Sequence, residues 1–262
     1  MSIPKKIHWC WLSGDPLPKN LQACLNSWQR VMPDYEVICW DMRRFDIHSV
    51  PFVADACAAR KWAFAADYIR LYALYTEGGV YLDSDVRVFR KFDKFLNHAA
   101  FSGIEHHSGT KSWAENEQFA VACNAIQAAV IGAEKGNVWI KECMDYYLRT
   151  PFKLKPNGEV DVEISPVVLA RCAAGYGFRH DAHFNDLQEL RGGIVIYPQK
   201  VFATAYAGAT MRSHALHLCD GSWYKKGKPE PLPVKWDRIL CSRYRFCAML
   251  HYQRKRWLSR RK

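Results

Sequence analysis

The sequence predicts an α/β domain with a mostly parallel central sheet flanked by helices, and three observations carry that prediction. The opening 40 residues read as strand, helix, strand. An alanine-rich helical stretch then stops at Gly78-Gly79 and feeds a short apolar strand. The chain has 262 residues, 49% of them hydrophobic and 14% aromatic, enough for one domain with a sizeable core.

Ile3 to Trp11 is rich in β-branched and aromatic residues and is bounded by Ser13-Gly14-Asp15-Pro16, which predicts the first strand. Leu21, Cys24, Leu25 and Trp28 share helical spacing, so Leu21 to Val31 is expected as a helix ending before Pro33. Tyr35 to Trp40 follows as a second strand. Ala54 to Glu77 contains no Pro or Gly and reads as helix. Val80-Tyr81-Leu82 is apolar throughout, as in a strand buried on both faces, and it delivers Asp83-Ser84-Asp85 at its carboxyl end. Ligands of open α/β sheets gather at such ends. Val86 to Phe89 continues as an extended piece. Further on, Phe119 to Ile131 reads as a strand passing into a helix, Val138 to Leu148 as a helix, and Pro151 to Asp161 as a polar loop. Val167 to Ala173 reads as a short helix, and Ile194 to Tyr197 and Ala215 to Leu218 as strands. The last of these presents His217. One α/β domain over residues 1–236 and a basic helical tail over 237–262 account for the whole.

The net charge is 37 − 26 = +11, and the tail explains most of it. Arg238 to Lys262 holds nine basic residues and no acid, which leaves +2 for the remainder. A nearly neutral main domain offers no basic groove, so nucleic acid is not expected as a partner. No apolar run reaches the roughly 18 residues of a membrane span, nor does the N-terminus resemble a secretion signal, so a cytoplasmic protein is expected. The ten cysteines are scattered, with no CxxC pair, which disfavours a zinc ribbon and points to free thiols.

Asp83 and Asp85, one residue apart at a strand end, can offer hard oxygen ligands to Mg²⁺ or Mn²⁺. Alone, such a triplet is also an ordinary solvated turn. Asp67 and Arg70, three residues apart on the preceding helix, share one face among apolar neighbours. They read either as a structural ion pair or as a grip on ligand hydroxyls and phosphate. His180-Asp181-Ala182-His183 could form a metal pair but lacks further ligands nearby and is better read as a loop. No GxSxG or phosphate-loop sequence is present.

The stretch from Ala66 to Asp85, ADYIRLYALYTEGGVYLDSD, resembles the core signature of the DxD sugar transferases, glycosyltransferase family 32. That family includes yeast mannosyltransferases and bacterial capsule and O-antigen enzymes, and large clostridial toxins have a similar core. Ile3 to Trp11, Asn124 to Ala129 and His217 to Trp223 resemble further family segments in the same order. Ser165-Pro166 stands where many relatives have Gly-Pro.

The resemblance implies a GT-A fold for residues 1–236 and retaining transfer of a hexose from a nucleotide-sugar. It assigns Asp85 and His217 as metal ligands, and Asp83 to the donor ribose and sugar. Asp67 and Arg70 take the sugar hydroxyls, and Ser222 and Trp223 the diphosphate. Trp9 would stack on the base while the backbone near Ile7 and His8 reads its edge, and Asn124 would orient sugar or acceptor. Mn²⁺ is expected ahead of Mg²⁺ because imidazole suits it better. A UDP-hexose is the expected donor, with GDP-mannose open, and the acceptor a glycan, lipid-linked in one reading, of a bacterial surface polysaccharide. Two alternatives stand beside this: a toxin-like transferase acting on protein, and a nucleotide-sugar binder without turnover. The tail, with Leu240, Tyr244, Cys247 and Leu250 among arginines, reads as a helix for an anionic membrane surface, on the inner face of the cytoplasmic membrane, or as a plain packing helix.

Overall fold

The computed structural model describes residues 2–106, 124–180, 184–204 and 209–219. Strands β1 (Lys6–Cys10), β2 (Glu36–Trp40) and β3 (Gly79–Leu82) pair in parallel, β1 lying between the other two. Helix α1 (Lys19–Val31) links the first two strands. β4 (Val86–Val88) follows at once, then β5 (Ala100–His106), β6 (Asn124–Ile126) and β7 (Val130–Ala133), and later β8 (Gln188–Leu190) and β9 (Ile194–Tyr197). The main sheet runs β2-β1-β3-β7-β5-β9-β8, with β6 added on β5.

The α/β class is as expected, but the sheet is mixed. Its seven pairings include four antiparallel ones, β3–β7, β5–β7, β5–β6 and β8–β9. The strand-helix-strand opening is parallel as read, because a helix carries the chain back to the starting edge. Beyond β3 the strands pair largely in the opposite sense, and of those pairs β8 and β9 are joined by the short turn Arg191–Gly193. Phe119 to Ile131 therefore gives no helix among its described residues; residues 124–126 and 130–131 belong to β6 and β7.

The helical stretch after β2 is two helices, α2 (Pro51–Ala58) and α3 (Trp62–Glu77). The break is a turn in which Lys61 N donates to the Ala56 carbonyl at 2.8 Å and Arg60 N to that of Cys57 at 2.9 Å. Arg60 takes the left-handed position at φ 55°, where glycine is usual, so no residue type marks the break. At the far end of α3 the glycines are needed. Gly78 has φ 67°, and a Cβ there would sit 2.8 Å from Lys135 N; one on Gly79 would sit 2.9 Å from the Lys6 carbonyl oxygen. Helix α4 (Val138–Arg149) starts at Asn137, whose side chain accepts from Ile140 N at 3.2 Å. Helix α5 (Ser165–Ala174) starts with Pro166 in its first turn.

Two apolar clusters cover the two faces of the sheet. Tyr81 packs with α2, α3, α4 and α5, while Val80 and Leu82 pack with Ile7, Trp28 and the phenylalanines 92, 95, 101 and 202. This alternation is what a strand buried on both faces requires. On the second face lies a small sheet, β10 (Phe202–Thr204), β11 (Ala215–His217) and β4 in that order, with β11 antiparallel to β4. Helix α1 pins β4: Trp28 Nε1 donates to the Val86 carbonyl at 2.7 Å, and Ser27 Oγ accepts from Val88 N at 3.0 Å. No helix among the described residues is long and apolar enough to cross a membrane.

Candidate active site and metal centre

The chain turns sharply where β3 ends. Asp83 N donates to the Ala129 carbonyl at 3.0 Å, and Val86 N donates back to the Asp83 carbonyl at 2.9 Å. This four-residue turn aims the Asp83 and Asp85 side chains off the sheet end. Register between β4 and β11 sets His217 opposite Val86, and Leu218 N donates to the Asp85 carbonyl at 3.1 Å. His217 Nε2 thereby comes within 3.2 Å of Asp85 Oδ1. Ligand atoms of Asp83, Asp85 and His217 lie within 4.8 Å of one another. Opposite ligands on a small hard cation lie about 4.2 Å apart, so minor rotations suffice to close the three on one ion. Two carboxylates and an imidazole suit a divalent metal that accepts both oxygen and nitrogen. Burial disfavours the His217 imidazolium, but the attraction and hydrogen bond of Asp85, helped by Cys219, raise its pKa well above the usual value. A cation entering here has to displace that proton.

Behind the turn lies a buried ion pair. Arg70 Nη2 is 2.8 Å from Asp67 Oδ1 and 3.6 Å from Asp83 Oδ1. Its Nη1 donates to the Ala128 carbonyl at 2.8 Å and its Nε to that of Ala66 at 3.2 Å, and the guanidinium lies over the Tyr81 ring. The Tyr81 hydroxyl in turn donates to Asp83 Oδ1 at 3.0 Å. Arg70 thus ties α3, the DxD turn and the segment entering β7 together. Burial pushes the Asp67 carboxyl up to about 7, and nearby Asp83 adds to this; Arg70 and Ser165 oppose it. Both readings of the Asp67–Arg70 pair, structural tie and ligand grip, remain compatible with this placement beside Asp83.

The structure therefore brings Asp67, Arg70, Asp83, Asp85 and His217 together, and treats the other expected residues differently. Trp9 stands partly exposed near the end of β1, edge-on to Trp28 at 6.3 Å. Ile7 and His8 lie within the sheet. Both sit where β1 pairs with β2 on one side and β3 on the other, so the sheet engages their backbone. The His8 ring is buried as well: Nδ1 accepts from Trp40 Nε1 at 3.0 Å, and Nε2 donates to the Gly78 carbonyl at 2.8 Å. Asn124 is fully buried, and its amide donates to the Phe184 carbonyl at 2.8 Å, which makes it a fold-holding contact rather than an open donor. Ser222, Trp223, the tail over 237–262 and His183 lie outside the described residues.

Sequence reading missed Tyr81, the carbonyls of Ala128 and Ala129, and Cys219. Tyr81 was passed over as a core residue because it faces inward along a buried strand. Main-chain oxygens carry no residue-type signal at all. Cys219 reaches the His217 ring through a left-handed backbone at φ 53°, which the two-residue spacing alone does not signal.

Residues 18–102 match a family model described as a glycosyltransferase sugar-binding region containing the DXD motif. The chain is similar to inositol phosphoceramide mannosyltransferase 3 of Schizosaccharomyces pombe, 32% identical over 104 residues, 38% of this chain and 29% of the relative. It is also similar to subversion of eukaryotic traffic protein A of Legionella pneumophila, 26% identical over 170 residues, 55% of this chain and 24% of the relative. The chain thus spans under a third of the curated relatives it matches. Among solved structures, the galactosyltransferase LgtC in complex with donor and acceptor sugar analogues covers 84% of this chain and 90% of its own at 11% identity and TM-score 0.49. The PaToxG glycosyltransferase covers 66% of this chain and 70% of its own at 18% identity and TM-score 0.46.

Proposed function

We propose that the chain is a metal-dependent glycosyltransferase that moves a hexose from a nucleotide-sugar to an acceptor. One observation carries this reading: Asp83, Asp85 and His217 converge within 4.8 Å beside the buried Asp67–Arg70 pair, and all of these but His217 lie in the region that matches the DXD sugar-binding model. Asp85 and His217, with Asp83, would hold a divalent cation, Mn²⁺ by preference, which neutralises the departing diphosphate. Asp83, fixed by the Tyr81 hydroxyl, sits between that ion and the sugar. Asp67 accepts from hydroxyls of the transferred hexose, and Arg70 keeps Asp67 and Asp83 in register. Trp9 offers its partly exposed face to the nucleotide base. In the retaining chemistry we favour, the acceptor oxygen attacks on the face the leaving group departs from, and the leaving phosphate takes the acceptor's proton.

The donor we infer is a UDP-hexose, with GDP-mannose as its competitor, and the acceptor a glycan of bacterial surface polysaccharide. A second reading, transfer onto a protein, is favoured by the likeness over 55% of this chain to a Legionella protein named for the subversion of eukaryotic traffic. Incubating the full chain with each nucleotide-sugar and Mn²⁺, and following nucleotide release, tests the central reading. Release that needs metal and one donor supports it. No release and no donor-dependent rise in melting temperature overturns it. Intact-mass analysis of glycan and protein acceptors then separates the two acceptor classes. The basic tail over 237–262 is proposed to dock on anionic membrane. Equal sedimentation with anionic liposomes of the full chain and a chain stopped at Trp236 would discard that role.

A further inference from the structure

The ring of His217 is held at both nitrogens, and only one of the two contacts belongs to the metal-ligand set. Nε2 faces Asp85 Oδ1 at 3.2 Å. Nδ1 faces Cys219 Sγ at 3.7 Å, and the same sulfur lies 3.7 Å from the His217 carbonyl oxygen. A thiol has one hydrogen to give and lone pairs to accept with. Asp85 Oδ1 can only accept, so Nε2 carries a hydrogen here; with S–H donating to the His217 carbonyl, Nδ1–H donates to sulfur. A cation that takes the place of the Nε2 hydrogen leaves Nδ1–H on sulfur and meets the Nε2 lone pair.

Cys219 reaches this position through an unusual backbone. Its φ is 53°, one of two non-glycine residues in the left-handed region among those described. A side chain that bears no special role is rarely kept there, and cysteine is not among the residues that favour it. The conformation folds the chain back immediately after β11, so that Sγ returns beneath the ring two residues earlier.

We propose that Cys219 is a positioning residue for the metal centre, fixing the tautomer and angle of His217 so that Nε2 meets the cation. Ligating histidines generally depend on such a partner at the other ring nitrogen, where carboxylate, carbonyl or water is usual. Here a thiol takes that place. The inference rests on the reading that Asp83, Asp85 and His217 bind a divalent ion.

The test measures Mn²⁺ affinity of the full chain by electron paramagnetic resonance of free Mn²⁺, together with the His217 ring by ¹⁵N imidazole NMR on protein loaded with diamagnetic Mg²⁺. Cys219→Ala should weaken Mn²⁺ binding about 10-fold and shift the Nδ1–H signal away from its position on sulfur. Cys219→Ser keeps a group able to accept from Nδ1 and should stay within about 3-fold of the unmodified chain. Cys219→Gly separates strain from the thiol. It suits φ 53° and should melt no lower than the unmodified protein, yet bind Mn²⁺ as poorly as the alanine variant. If Cys219→Gly binds Mn²⁺ as tightly as the unmodified chain with an unchanged His217 ring spectrum, the inference falls while the metal reading stands. If the unmodified chain binds no Mn²⁺, the metal reading falls and takes this one with it.

Discussion

The two halves of the site are built in different ways. Asp67, Arg70, Tyr81, Asp83 and Asp85 lie within a single run of chain, on one helix, one strand and the turn after it. His217 and Cys219 arrive from more than 100 residues further on, delivered by antiparallel pairing of β11 with β4. The near half is held by a buried ion pair and close side-chain contacts. The far half depends on the register of a three-residue strand, pinned in turn by two hydrogen bonds from α1. A short motif can thus specify half a metal centre locally, while the remainder waits on long-range folding.

The largest expected effect asks whether both halves work as one. Asp85→Ala and His217→Ala should each lower metal-dependent donor hydrolysis about 1000-fold, equivalent to about 4 kcal/mol. A His217→Ala enzyme with ordinary activity would reduce the far half to scaffolding. Next comes the tie within the near half. Arg70→Ala leaves Asp67 buried without its cation, and should cost about 3–5 kcal/mol in urea unfolding. A loss below about 1 kcal/mol would mean that Asp67 already carries its proton and needs no partner.

Acidity sharpens the same point. The folded pKa of Asp67, about 7, lies above its ordinary value of 3.8. The folded state therefore binds this proton more tightly than the unfolded chain, and stability falls as pH rises from about 4 to 7. The slope is at most about 1.4 kcal/mol per pH unit. Unfolding of the parent and of Asp67→Asn at pH 5 and pH 8 should show the parent losing ground to the variant at the higher pH. A parent that gains instead would show Arg70 prevailing over burial. The smallest effect tests the far half's anchor. Ser27→Ala removes the acceptor for Val88 N and should cost about 1–2 kcal/mol. If register is the link, Mn²⁺ affinity should drop with it; unchanged affinity would detach β4 pinning from the metal centre.

Legibility followed the same division. Asp83 and Asp85 were visible because a buried strand followed by paired acids is a local pattern, and Gly78-Gly79 marked its start. Asp67 and Arg70 were visible through helical spacing. His217 was reached only through resemblance, since no local rule pairs it with a turn so far away in the chain. The mixed sheet was not legible: β6 and β7 are short, and their apolar run also suits a helix. The helix break at Arg60 was hidden because the left-handed residue is not glycine. Asn124, Ile7 and His8 were reached through likeness to family segments, and the fold engages each of them in its own hydrogen bonding.

The reversal of strand direction at β3 has one more consequence. On one flank of the strand runs parallel β1, ending near the partly exposed Trp9. On the other flank antiparallel β7 begins, and the segment entering it turns the carbonyls of Ala128 and Ala129 onto Arg70 and the Asp83 amide. A molecule approaching this end of the sheet meets side chains to one hand, while on the other the peptide oxygens are taken up in holding Arg70 and the DxD turn. Substitution can rewrite the first wall at will, whereas the second keeps its oxygens whatever residues stand there, so changes of ligand preference have mainly the Trp9 side to act on.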